Sequence, residues 1–286
     1  MQPSAGYKIV KLASGVHSVH SLAERETFHP VIGPVAEAEA LYVKQLNLPE
    51  RLATHTGEFV IWDVGLGAAA NVLTVLRATQ GAKCPLRIIS FDHTLEPLKF
   101  AFENAGTLGY FTGYEDAVAQ FLKNHRANFA DVGRQVTWDL HLGDFPSLIR
   151  NPQSAIRNSP AHAILFDAFS PAKNPAMWTQ PLFANLFRLL DPARPCALPT
   201  YSRSTMLRVS LLLAGFYVGA GHATGEKEET TIAANTLDLI SEPLDINWLR
   251  RVRKSTSAEP MWEPIYRQAP LAEDTWEKLQ KHPQFK

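Results

Sequence analysis

At 286 residues, with 45% hydrophobic and 20% charged side chains, the chain is long enough for one large α/β domain or two small ones around a packed core. Its 28 basic residues balance 28 acidic ones, and the missing basic surplus argues against a chain committed to a polynucleotide backbone, though a local patch stays open. No apolar run approaches the roughly 18 residues of a membrane helix, and the N-terminus shows no export signal, so no membrane contact and a cytoplasmic location are expected.

In chain order, residues 1–34 read as short extended segments, Tyr7–Val10 and Ser18–Leu22. A helix follows over Val35–Leu48, which Pro49 ends. Strands are predicted over Phe59–Val64, Leu86–Asp92, Thr137–Leu142, His162–Phe169, Pro195–Tyr201, Phe216–His222 and Thr230–Ala234. Helical periods lie between them over Ala69–Thr79, Leu95–Ala105, Tyr114–Asn128, Pro181–Leu190 and Ser204–Ala214. Such alternation, with apolar β-branched strands, predicts a doubly wound α/β sheet of seven strands. The last strand is antiparallel and reached by a hairpin over Gly221–Glu229. Helices at Ile246–Lys254 and Glu273–His282 fall in a tail that wraps the domain. The expected organisation is an N-terminal extension over 1–50, a main domain over 51–241 and a tail over 242–286. Cys84 and Cys196 form neither a disulfide framework nor a metal spacing, and no His/Cys cluster stands at ligand spacing, so no metal is expected.

Phe59–Val64 runs into Gly65-Leu66-Gly67, and a helix opens at once through Ala68-Ala69-Ala70-Asn71. Glycines there let the backbone approach a nucleotide-like ligand, and the helix start offers free N–H groups. The same residues would also make a plain strand–helix turn. Leu86–Asp92 ends in a carboxylate that can accept from both ribose hydroxyls, or cap the next helix as Thr94 also could. Asp144, after Leu142-Gly143, supplies a third acid, suited to an adenine amino group or to a turn. A dinucleotide is compatible with Ala70 in the third glycine position, but no hydride-transfer constellation follows. Together the three features favour S-adenosylmethionine (SAM), held by Asp63, Gly65, Gly67, Asn71, Asp92 and Asp144 on a class I methyltransferase (Rossmann-like) fold.

The most informative stretch is Ala163-Ile164-Leu165-Phe166-Asp167, an apolar strand delivering Asp167 to its carboxyl end, followed by a proline-broken loop reaching Met177-Trp178. Asp167 can accept a hydrogen bond from an amine and turn its lone pair toward a methyl sulfonium, or merely cap the loop. The run Phe166-Asp167-Ala168-Phe169-Ser170-Pro171-Ala172-Lys173-Asn174-Pro175-Ala176-Met177-Trp178-Thr179 closely resembles the methyltransferase half of the MnmC family. These are bifunctional bacterial tRNA 5-methylaminomethyl-2-thiouridine biosynthesis proteins. Further similarity lies in Glu26-Thr27-Phe28-His29, in Thr200-Tyr201-Ser202, in Arg208–Phe216 and in Gly225 with Lys227.

The resemblance implies SAM-dependent N-methylation of the aminomethyl group on the wobble uridine of tRNA. Asp167 would act as the catalytic residue, with His29, Lys173, Asn174, Trp178, Tyr201 and Lys227 on the acceptor side. It also implies a stand-alone form without the FAD oxidase domain, with a separate enzyme forming the aminomethyl group. Three departures stand out. Ala replaces the third glycine of the turn; Glu226, Glu228 and Glu229 make the segment before the last strand acidic; and net charge is zero. An acidic hairpin would repel phosphate and could select a small or peptidic cationic amine instead. A non-catalytic nucleotide- or partner-binding role and a nicotinamide oxidoreductase are the remaining alternatives. Arg250-Arg251-Val252-Arg253-Lys254 is the one concentrated basic run, either a phosphate contact or a solvated helix face.

Overall fold

A computed structural model describes residues 6–224 and 228–286, so Gly225, Glu226 and Lys227 of the expected hairpin lie outside the described residues. Close contacts divide the chain into two compact units. The first takes the chain up to Asp144 together with Leu165–Asp167; the second takes Phe145–Ile164, Ala168–His222 and Glu229–Lys286.

The first unit begins with an antiparallel meander of β1 (Tyr7–Lys11), β2 (His17–Ser21) and β3 (Glu26–Thr27). The expected helix over 35–48 is corrected in its second half. A helix over Pro34–Ala38 passes into a π-helical stretch over Glu39–Lys44, Asn47 turns left-handed at φ 47°, and a new helix runs over Leu48–Thr54. Pro49 opens that helix and does not end the earlier one, because the first turn needs no N–H from it.

Four strands of this unit hydrogen-bond in the order β4 (Phe59–Val64), β5 (Leu86–Asp92), β7 (Arg134–Leu142), β6 (Arg126–Asp131). β4, β5 and β7 are parallel, with Asp63 opposite Ser90 and Asp92 opposite Leu142. All six residues of β4 are buried, as an apolar strand covered on both faces requires. β6 pairs antiparallel with β7 and corrects the expected helix over Tyr114–Asn128, which runs only over Glu115–Asn124 and stops at His125, φ 56°.

The strand β8 (Ala163–Phe166) contributes its first residues to the second unit, where Ala163 pairs in parallel with Ala197 of β9 (Ala197–Thr200). There β11 (Thr230–Ala234) lies antiparallel to both β9 and β10 (Tyr217–Gly221). The α/β fold and the antiparallel last strand stand as expected, and among the described residues β6 is a strand that was not expected. At β10 the tail comes back. Segment 240–244 crosses Gly219, where Ala220 N donates to Glu242 O at 2.9 Å and Leu244 N to Val218 O at 2.9 Å. A Cβ at Gly219 would meet Ile240 at 2.4 Å and the Glu242 carbonyl at 2.5 Å, so only glycine admits the crossing. The Gln284 side chain accepts from Val218 N at 2.8 Å and donates to Val218 O at 2.7 Å, closing the same edge. No helix among the described residues is long and apolar enough to cross a membrane.

Candidate active site

At the carboxyl end of β4 the chain must turn sharply into the helix Ala70–Ala78. Gly65 and Gly67 adopt φ 91° and 52°, and Ala69 takes φ 61° without glycine's freedom. The turn is tied to β5 by Gly65 N donating to Phe91 O at 3.0 Å, and a Cβ on Gly67 would stand 3.3 Å from the Phe28 ring. The amide of Gly67 donates to Asp92 Oδ2 at 2.9 Å. Asp92 Oδ1 accepts from the amides of His93 (2.7 Å) and Thr94 (3.2 Å), but it does not cap the helix Glu96–Glu103, whose N-cap Leu95 has no side-chain bond and whose Glu96 N donates to Thr94 Oγ1 at 3.2 Å. His93 Nδ1 stands 3.2 Å from that oxygen, and its hydrogen bond to Asp92 holds the exposed imidazole above its ordinary range. Asp144 follows Gly143, whose amide donates to the Asp92 carbonyl at 2.8 Å, and lies exposed beside this corner.

Asp63, the fifth residue of β4, is fully buried. Ser90 Oγ donates to its Oδ2 at 2.7 Å and is itself fixed by Trp138 Nε1 at 2.9 Å, while Asp63 Oδ1 has no hydrogen-bond partner. Burial pushes Asp63 up to about 7, against the Ser90 bond that lowers it and with Asp167 and Asp92 adding like charge.

Asp167 arrives at this end with its amide donating to Val64 O at 2.9 Å. Asn71 Nδ2 donates to Asp167 Oδ2 at 2.7 Å, and the Asn71 Oδ1, also buried, has no partner. His29 Nε2 lies 3.7 Å from the same Asp167 oxygen and His29 Nδ1 lies 3.9 Å from Glu37 Oε1. The first unit thus brings together Asp63, Gly65, Gly67, Asn71, Asp92 and Asp167, with His29 joining them from the meander. Glu37 had no sequence signal: an isolated acid in a helical period looks like any solvated residue.

The remaining predicted residues stand in the second unit. Lys173 is exposed and Asn174 half-buried on a turn closed by Lys173 N and Asn174 N donating to Ser170 O at 2.9 and 2.8 Å. Trp178 is 1% exposed, its indole donating to Phe169 O at 2.8 Å; Tyr201 OH donates to Ala168 O at 3.0 Å. The two rings meet edge-on at 5.8 Å. The buried Trp178 fixes the loop that leaves Asp167. Glu229 is matched by the buried Arg208 at 3.2 Å, so it is not the free cation-selecting acid the hairpin suggested. Lys227 lies outside the described residues.

Two unpartnered buried oxygens, a carboxylate at a glycine turn and a third carboxylate in electrostatic reach suit a ligand carrying an ammonium, a sulfonium and vicinal hydroxyls. This is the chemistry of SAM, and the fold and site define a class I methyltransferase. The family described as S-adenosyl-L-methionine-dependent methyltransferase matches residues 111–236. The bifunctional tRNA 5-methylaminomethyl-2-thiouridine biosynthesis protein MnmC of Aeromonas hydrophila is 32% identical over 208 residues, covering 68% of this chain and 30% of that protein. Its counterpart in Ralstonia nicotianae is 30% identical over 249 residues, covering 83% of this chain and 34% of that protein. The chain therefore spans about a third of the length of these relatives. The solved structure of MNMC2 from Aquifex aeolicus superposes with a TM-score of 0.70 at 24% identity, covering 96% of this chain and 84% of that one. Together these matches support an MnmC-like, SAM-dependent methyltransferase domain, similar to the part of those longer proteins that the chain covers.

Proposed function

We propose that the chain methylates the primary amine of an aminomethyl group on the wobble uridine of tRNA. The observation that carries this reading is Asp167: a carboxylate at the end of an apolar strand, gripped by Asn71 and adjoined by His29, opening the loop in which the resemblance is densest. SAM supplies the electrophilic methyl group. On this reading Asp63, Gly65, Gly67, Asn71, Asp92 and Asp144 hold it, Asp92 through the ribose hydroxyls and Asp63 through a cationic group.

Asp167 accepts a hydrogen bond from the acceptor nitrogen and aims its lone pair along the line of displacement, where positioning supplies most of the rate. The resemblance assigns His29, Lys173, Asn174, Trp178, Tyr201 and Lys227 to the acceptor side. The exposed Arg250 and Arg251, together with the pairing of Glu229 to Arg208, ease the approach of a polyanion. The methyltransferase domain spans 51–241, flanked by the extension 1–50 and the tail 242–286. The work is cytoplasmic, and a separate enzyme forms the aminomethyl group.

The test is Asp167→Asn, assayed on tRNA carrying 5-aminomethyl-2-thiouridine. Turnover falls roughly a hundredfold or more while SAM affinity by calorimetry is unchanged. Retained turnover would remove Asp167 from the chemistry. A wild-type chain that leaves this tRNA unmethylated would remove the substrate.

A further inference from the structure

His29 stands between two carboxylates of its own unit. Asp167 Oδ2 is 3.7 Å from Nε2 and Glu37 Oε1 is 3.9 Å from Nδ1, beyond hydrogen-bond length but within ion-pair range. The imidazole is 10% exposed, Glu37 10% and Asp167 17%. The backbone at His29 is left-handed, φ 49°, an uncommon state for a residue with a side chain. That conformation is held between the meander, where Ser18 Oγ donates to the neighbouring Phe28 carbonyl, and the helix Pro34–Ala38, which carries Glu37.

An alkyl amine reaches the site as an ammonium, which has no lone pair to attack with. Asp167 alone would make matters worse. A carboxylate hydrogen-bonded to an ammonium stabilises the charged form, and the neighbouring Asp63, when ionised, adds to the same negative field. A base must stand beside Asp167, and the imidazolium it becomes must be stabilised by that same field. His29 meets both demands, because the two carboxylates flank its ring nitrogens.

Building on the function proposed above, the geometry points to His29 as the general base of methyl transfer and to Glu37 as the positioning residue behind it. Nε2 of neutral His29 takes one proton from the substrate ammonium. The freed nitrogen lone pair forms the new bond to the methyl carbon as the carbon–sulfur bond breaks, its electron pair staying on sulfur. The products are a methylated ammonium, a neutral thioether and an imidazolium that returns its proton to solvent. The titratable groups facing the ring are Glu37 and Asp167, with Asp63 coupled to the latter and to Asp92.

The test is His29→Asn, because asparagine tolerates the left-handed backbone and is no base. Single-turnover methyl transfer to tRNA bearing 5-aminomethyl-2-thiouridine is followed against pH for both proteins, with SAM affinity measured alongside. The variant loses roughly a hundredfold at neutral pH, recovers as the amine sheds its own proton in alkaline buffer, and is partly rescued by added imidazole. Glu37→Gln gives a smaller loss of the same pH shape in kcat with KM unchanged, and it carries the test if His29→Asn fails to bind SAM. A pH-independent loss, or a wild-type profile in either variant that binds SAM, overturns the assignment. If the wild-type chain methylates no aminomethyl acceptor, the underlying function falls and this proposal with it. An active wild type with an unaltered variant profile removes the base alone.

Discussion

Asp63 and Asp131 are both buried carboxylates of the first unit, one at the carboxyl end of β4 and the other at the turn joining β6 to β7. Both oxygens of Asp131 have partners. Arg134 donates to Oδ2 at 2.8 Å, while Tyr114 and Gln80 each reach Oδ1 at 3.3 Å. Arg134 in turn donates to the Thr79 carbonyl at 2.8 Å and to the Leu76 carbonyl at 3.1 Å. Asp63 has one donor, Ser90, and a bare second oxygen, and burial pushes it up to about 7. A charge that serves the fold is surrounded by partners of the fold's own making. Asp63, proposed above to serve a ligand, is left one donor short, and the cost of its burial appears as a shifted proton affinity.

The largest expected effect breaks the satisfied end. Arg134→Ala strands Asp131 and costs about 3–5 kcal/mol of stability in denaturant unfolding, with SAM affinity of the folded protein unchanged. A loss below 1 kcal/mol would mean the pair is not what holds this turn.

Next comes the unsatisfied end. The unfolded chain releases the Asp63 proton near about pH 4, whereas the folded chain keeps it until about 7. Between those values the folded state binds more protons, so this group's contribution makes stability fall as pH rises through the window. Asp63→Asn removes that slope. It is more stable than wild type at alkaline pH by up to about 4 kcal/mol, yet binds SAM more weakly. Melting curves across the window check the first, and a variant with undiminished SAM affinity would separate Asp63 from the ligand.

Asp92→Ala should weaken SAM binding by about 1.5–3 kcal/mol through lost charge-assisted hydrogen bonds; unchanged affinity by calorimetry would sink its ribose role. The smallest effect compares two glycines. Gly67→Ala and Gly133→Ala both force alanine into positive φ, at 52° and 89°, costing about 1–2 kcal/mol each. Gly67→Ala also presses on Phe28, and it alone should lower SAM affinity.

The ligand end was largely legible in the chain. Phe59–Val64, Leu86–Asp92 and Thr230–Ala234 stand where apolar continuity put them, and Asp63, Gly67 and Asp92 converge as strand-end logic requires. The Asp131 end was not. Arg126-Ala127-Asn128-Phe129-Ala130-Asp131 continues a helical period, and its hairpin turn is Val132-Gly133, with both residues at positive φ. Such a turn normally announces itself with asparagine or aspartate ahead of glycine; valine in the left-handed region gives no such sign. His29 was reachable only through resemblance, because it meets Asp167 by tertiary packing across a long sequence separation; Glu37, which meets His29, was not reachable at all.

The closure of β10 bears on how the protein behaves in a crowded solution. A bare edge strand offers its amides and carbonyls to any other strand, including one from a second copy. Here Val218 spends both backbone groups on the Gln284 amide, with Leu244 N also donating to its carbonyl, and Gly219–Ala220 is crossed by the tail. That flank of the sheet is therefore closed to intermolecular strand addition. Glu242, Leu244 and Gln284 thus occupy backbone groups that another copy of the chain would otherwise pair with, a consequence quite separate from methyl transfer. Gln284→Ala should leave catalysis alone and show its effect first as turbidity on prolonged warming.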